Sequence, residues 1–139
     1  MQKKLKILLY MLGVFVFAAI AVKGMFAVTG TSEFCVSCHT MKSQYKNWSH
    51  SAHSSRAGCS DCHVPQENVV AKLAAKTRDG FNHVYAFAFD KVPDPIRLKP
   101  RSQKTVMNNC VRCHKQLVEK ISMEGRKCWD CHRGTPHGY

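Results

Sequence analysis

The sequence predicts a mostly α-helical protein with irregular connections, built as one N-terminal membrane-crossing helix and a small domain with little apolar core of its own. Three observations carry that expectation. Leu5 to Val28 is apolar apart from Lys6 and Lys23, and Ile7 to Val22 holds no charge, enough to cross the hydrocarbon layer as a helix. Only about 111 of the 139 residues follow that run, poor in apolar side chains and broken by five prolines, so a side-chain core would be marginal. No segment sustains period-2 alternation, so strands are not expected.

Lys3, Lys4 and Lys6 precede the apolar run. They predict an N-terminus on the cytoplasmic side of the inner membrane and the rest of the chain on the periplasmic face. Ala19-Ile20-Ala21 resembles a signal-peptidase site, but the run continues through Met25, Phe26, Ala27 and Val28. That length favours an uncleaved signal-anchor. Residues 1–30 are therefore read as the anchor and 31–139 as the external domain.

All eight cysteines fall in four pairs of one form. They are Cys35-Val-Ser-Cys38-His39, Cys59-Ser-Asp-Cys62-His63, Cys110-Val-Arg-Cys113-His114 and Cys128-Trp-Asp-Cys131-His132. C-x-x-C-H is the attachment signature of c-type haem. Two thiols at that spacing reach the two vinyl groups on one edge of a porphyrin, and the next histidine lies beneath the iron. Random placement would produce about 0.03 such motifs, so four are no accident. Zinc ribbons do not require the histidines, and a disulfide framework leaves them unexplained. Four covalent haems also supply the apolar mass that the side chains lack. Their propionates offset much of the formal charge of +12, so no nucleic-acid partner is needed, and no basic-aromatic pattern suggests one.

The motifs form two pairs, 35/59 and 110/128, separated by a long gap. That arrangement reads as two pseudo-repeated dihaem units, about 31–92 and 101–139, linked through Pro93, Pro95 and Pro100. Helices are expected near 41–50, 66–89 and 104–122, with loops carrying the haems. In the 66–89 segment Lys72, Lys76, Asp79 and His83 are spaced 4, 3 and 4, on one helical face. Such a face is ordinarily a solvated stripe. It is also what a site for a small apolar molecule that sheds protons would need, since Asp accepts a proton and Lys tunes it or binds an oxygen.

Low-spin haems take a second axial ligand, and His50, His53, His83 and His137 lie outside the motifs. His53 and His137 are the stronger ligand candidates, with short local reaches to neighbouring haems. His50 reads as solvent-facing, and His83 as either ligand or site residue. Met41, two residues past His39, is a packing residue or a thioether ligand.

An anchor followed by four C-x-x-C-H motifs in two pairs resembles the NapC/NirT/NrfH family of membrane cytochrome c quinol dehydrogenases. The Cys35-x-x-Cys38-His39-x-Met41 form is similar to its NrfH type, the small membrane subunit of cytochrome c nitrite reductase. The resemblance implies Met41 as axial ligand of the first haem, with His39 displaced. It implies proximal roles for His63, His114 and His132 and distal ones for His53 and His137, with one iron left open or completed by a partner. Asp79 matches a carboxylate at the open face of the first haem, and Lys72, with Lys76 nearby, lines the quinol pocket. The short stretch between His63 and Lys72 departs from the pattern. Function follows as oxidation of (mena)quinol and delivery of electrons to a periplasmic multihaem reductase, foremost the catalytic subunit of cytochrome c nitrite reductase. Two rival readings are a tethered carrier without a quinol site and a small reductase working at an open haem. Other members serve other periplasmic reductases.

Overall fold

The computed structural model describes residues 2–122 and 124–138, which form helices and turns without a β-strand. The anchor expectation holds in the helix α1 (Gln2–Val28), none of whose residues is buried, as befits a helix whose solvent is lipid. It is the one helix among the described residues long and apolar enough to cross a membrane. Thr29 and Thr31 close its end, their hydroxyls donating to the carbonyls of Met25 at 2.7 Å and Val28 at 3.1 Å. These are the carbonyls a helix end leaves without an internal partner.

Beyond α1 come α2 (Ser32–Val36), a 3₁₀ turn (His39–Met41), α3 (Lys42–Ser49), α4 (Cys59–His63), α5 (Val69–Ala88), α6 (Pro100–Val118) and α7 (Cys128–Cys131). Two sequence-based expectations need correction. The second and fourth cysteine pairs lie on helical turns (α4, α7) rather than loops, and Cys35 of the first on α2, while the third pair falls on α6, within the helix expected at 104–122. On a helical turn, residues i and i+3 share a face, which aims two thiols the same way. The third long helix starts at Pro100, not 104, because proline's fixed φ and missing N–H suit a first helical position. It bends where His114 leaves helical geometry (φ −105°, ψ 17°).

Motifs two and four share a local device. Asp61 accepts from the backbone N–H of Gly58 at 2.9 Å, and Asp130 from that of Lys127 at 2.7 Å. Each carboxylate satisfies an N–H just ahead of its motif's first cysteine and sits in the first turn, where the helix dipole favours it.

Among the described residues Ala75 is the only buried hydrophobic one, and no large side chain is fully enclosed. The chain presents 11477 Å², against about 7,300 Å² for a compact monomer of its mass; the bare α1 accounts for part of the excess. Side-chain apolar burial therefore does not hold the domain together. Polar bolts tie the motifs instead. The buried Asn109 of α6 donates to the carbonyls of Cys62 and Val64, both at 2.9 Å. Arg112 reaches the Asp61 carbonyl at 3.3 Å. The Ser32 hydroxyl accepts from the Cys59 N–H at 3.3 Å, and Trp48 donates to the Ala57 carbonyl at 3.0 Å. Asn109→Ala removes the side-chain donor from the Cys62 carbonyl and one of two from the Val64 carbonyl and is expected to destabilise the haem-loaded protein by about 1–3 kcal/mol. Denaturant titration with haem content held constant checks it.

Candidate functional site

Two pairs of histidine rings face each other across the domain. His53 and His114 have centroids 6.1 Å apart, at 65° between planes. His63 and His137 stand 6.0 Å apart, at 40°. Two imidazoles bound to opposite faces of one metal, each through a nitrogen about 2.0 Å from it, hold their centroids about 6 Å apart. Both pairs thus have the spacing of axial ligands on a single iron, and each contains one motif histidine. The donor set, two thiols and a histidine in each motif plus an opposed imidazole in two of them, fits c-type haem.

The second pair is oriented further. Nδ1 of His137 lies 3.2 Å from the Gln44 carbonyl. A carbonyl only accepts, so Nδ1 carries the proton and Nε2 presents its lone pair, the usual outer support of a metal-binding histidine. Desolvation by surrounding protein, then the nearness of His137 and His83, lowers His63 to about 4, although part of its surface stays open. It is neutral at physiological pH, the form that binds metal.

The reaches of His53 and His137 are therefore not local, contrary to the expectation from spacing. His53 faces the motif at 110–114 and His137 the one at 59–63, so each half lends a ring to the other. His50 meets no second imidazole: its Nδ1 lies 2.7 Å from the Lys46 carbonyl on an exposed turn. Among the described residues no aromatic ring lies against His132. His39 and Met41 share a tight 3₁₀ turn and project in different directions, and the His39 ring turns to the edge of Phe87, 6.0 Å away.

The thiols run in spatial order. Cys59 is the largest influence on Cys35, raising it, while Cys35 lowers Cys59 to about 6. Burial raises Cys62, with Asp61 and Cys113 adding to it. Burial and then Cys128 push Cys110 up to about 11. These ionisations vanish once the sulfurs are thioethers, but the adjacency they report persists, motif one beside two, two beside three, three beside four.

The polar face of α5 does not gather into one bonded cluster. Lys72 donates to the Gln66 side-chain oxygen at 3.0 Å. Gln66 in turn donates to the carbonyls of Ser60 at 2.9 Å and Val64 at 3.1 Å. Asp79 pairs with Arg78 at 2.9 Å, both partly solvated. Lys76 leaves the group: its ammonium donates to the Phe26 carbonyl at 3.1 Å and the Thr29 hydroxyl at 3.2 Å, 4.8 Å above the Phe26 ring. A cation on the last carbonyls of α1 complements the helix dipole and fastens α5 to the outer end of the anchor. Burial and Lys72 lower its pKa, with the nearby Cys35 acting oppositely. His83 is exposed and near His63.

Residues 1–116 match the family model described as the NapC/NirT cytochrome c family, N-terminal region. The chain belongs to the NapC/NirT cytochrome c family. As a NapC/NirT cytochrome it carries haem bound covalently at its cysteine pairs. It is 33% identical over 141 residues to the cytochrome c-type protein NrfH of Wolinella succinogenes, spanning 91% of this chain and 80% of that protein. It is 38% identical over 128 residues to the NrfH subunit of cytochrome c nitrite reductase from Nitratidesulfovibrio vulgaris, spanning 91% and 78%. A crystal structure of the cytochrome c nitrite reductase NrfHA complex bound to the inhibitor HQNO superposes with a TM-score of 0.78 at 33% identity, over 92% of this chain and 86% of that one.

Gln66, Arg78 and the Gln44 carbonyl were absent from the sequence-based site. Arg78 stood visible beside Asp79, whereas a backbone carbonyl has no sequence signal. Lys76→Met in this NapC/NirT cytochrome is expected to speed hydrogen exchange at Thr29, Gly30 and Thr31, where α1 meets the domain, without changing haem content. Mass-spectrometric exchange and a haem assay measure the two.

Proposed function

We propose that this chain is a membrane-anchored tetrahaem quinol dehydrogenase that feeds electrons to the catalytic subunit of cytochrome c nitrite reductase, which reduces nitrite to ammonia. The observation that carries the reading is the order of the motifs, with the first beside the outer end of α1 through Lys76 and the others following in contact. A lipid-borne donor meets that end first. The likeness to NrfH, a nitrite reductase subunit by name, supports the partner.

The residues divide as follows. Cys35/Cys38, Cys59/Cys62, Cys110/Cys113 and Cys128/Cys131 hold four haems. His63 and His137 ligate the second, and His114 and His53 the third. Met41 ligates the first, leaving His39 against Phe87. His132 would hold the fourth, the haem placed to pass electrons on to the reductase. When bound, the haem irons take and release single electrons, which suits a chain of them to splitting a two-electron donor.

The quinol, menaquinol in an anaerobic respiratory chain, docks between the end of α1 and α5. Asp79 accepts a proton from a quinol hydroxyl, and Arg78 steadies the carboxylate in its charged, accepting form. Lys72, held by Gln66, donates to a quinol oxygen. Lys76 fixes the pocket's height at the membrane. Oxidation releases two protons to the periplasmic side, by way of Asp79, and two electrons to the haems. The orientation follows from the lysines at the N-terminus.

The deciding experiment places the haem-loaded protein in a lipid nanodisc, adds a reduced menaquinol analogue without partner, and follows the haem α-band. Rapid, inhibitor-blocked reduction is expected. Haems that respond only to dithionite would leave a tethered carrier instead. Asp79→Asn is expected to cut the quinol-driven rate by about 10²-fold or more, in line with loss of a proton acceptor, with haem content unchanged. His53→Ala and His137→Ala are each expected to turn about a quarter of the haem signal high-spin, by loss of one axial imidazole. Electron paramagnetic resonance reads this out.

A further inference from the structure

A second face of α5 is unaccounted for. At 3.6 residues per turn, Val70, Leu73, Phe81, Val84 and Tyr85 form one stripe, apart from the polar face of Lys72, Asp79 and His83. All are exposed: Val70 at 76%, Phe81 at 75% and Val84 at 69%. A contiguous apolar strip of this kind on an external domain marks an interaction surface.

Three observations identify what covers it. Lys76 is bonded to the carbonyl of Phe26 in the last turn of α1, so the middle of α5 sits where the anchor leaves the membrane. Leu73 and Val84 are the stripe residues nearest Lys76 around the helix, about 60–80° from it, so one edge of the stripe flanks the face that meets the end of α1. At the far end Lys91 donates to the Tyr85 hydroxyl at 2.8 Å and lies over the Tyr85 and Phe89 rings at 4.9 and 5.9 Å. An amphipathic aromatic pair with a lysine is the side-chain chemistry of the headgroup level.

We propose that α5 is an interfacial helix whose apolar stripe lies in the outer leaflet, with Lys91 against the lipid phosphates. The protein then has two membrane contacts, a crossing one and a surface one. The surface contact fixes the tilt of the domain about the Lys76 junction and holds the polar face of α5 at the depth of lipid-borne molecules. This placement does not depend on which molecule is oxidised there.

The test uses the full haem-loaded chain in vesicles of phosphatidylethanolamine and phosphatidylglycerol containing a phospholipid with a photoactivatable diazirine high in its acyl chain. After irradiation, mass spectrometry locates the adducts. Adducts on 69–89 as well as on α1 are expected, and they should be lost from 69–89, not from α1, in Phe81→Ser/Val84→Ser. That variant should keep its haem content and its reduction by dithionite. Adducts confined to α1 would overturn the proposal. So would adducts on 69–89 that disappear when the catalytic reductase subunit is added, or cross-links joining 69–89 of two copies, since the stripe would then belong to a protein interface.

Discussion

The separation of about 6 Å between opposed imidazoles is the constraint around which the domain is arranged. A chain in which Ala75 is the only buried hydrophobic among the described residues cannot position its helices by apolar packing. Position comes from histidine pairs set at the spacing of ligands to one metal and from directed hydrogen bonds that hold the pairs in place. Asn109 illustrates the consequence. Its amide ties α6 to the carbonyls of Cys62 and Val64, so the helix bearing the third motif is registered on the end of the second. Because the His53 ring lies against His114 and the His137 ring against His63, neither half would complete the proposed ligand set alone. Folding and haem loading are therefore coupled across the two halves, in the manner of small metalloproteins whose ligands come from distant segments.

What the sequence made legible follows from local chemistry. Thiols three residues apart with a histidine next to them announce their cofactor without any fold, and an uncharged run such as Ile7–Val22 announces its solvent. The helix at 69–88 was visible through its period, its start set by Asn68, whose side chain accepts from the Ala71 N–H at 2.8 Å. Long-range pairing was not legible. His137 is five residues from His132, yet it faces His63, because the chain end turns back and is held by the Gln44 carbonyl. Lys76 misled in the opposite way. Its register with Lys72 and Asp79 is correct, but a lysine's long stem lets the ammonium leave its own face and cap another helix. The turns of motifs two and four were read as loops because their helices, Cys59–His63 and Cys128–Cys131, are too short to show a period.

The helix α5 joins three environments that are seldom carried on one element. One side holds Lys72, bonded to Gln66 beside the second motif, and Asp79, one residue reaches the end of the anchor, and a third side is apolar and open. Each assignment limits the others. With Lys76 fixed on Phe26 and Thr29, rotation of α5 about its axis is restricted, so the direction of the polar face and that of the apolar stripe are set together. On the proposed reading, a substrate dissolved in lipid need not leave the bilayer to meet Asp79, since Lys76 fastens the helix carrying Asp79 to the outer end of α1.

On the proposed reading, the two ends of the motif series differ in a way that gives the electron path its direction. At the membrane end, the tight turn from His39 to Met41 offers the first haem a thioether, a ligand that raises the reduction potential relative to imidazole. A more oxidising first acceptor favours withdrawal of electrons from quinol. In the middle, His63 with His137 and His114 with His53 close both faces of their irons, leaving no position for a small molecule to bind and divert electrons. At the far end His132 has no opposed ring among the described residues, so on this reading that end of the series is left for another protein to approach. Entry, shielded transit and exit thus correspond to three ligand environments. Their sequence along the chain, rather than the strength of any one contact, is what makes a small domain with almost no core suited to carrying charge away from a membrane.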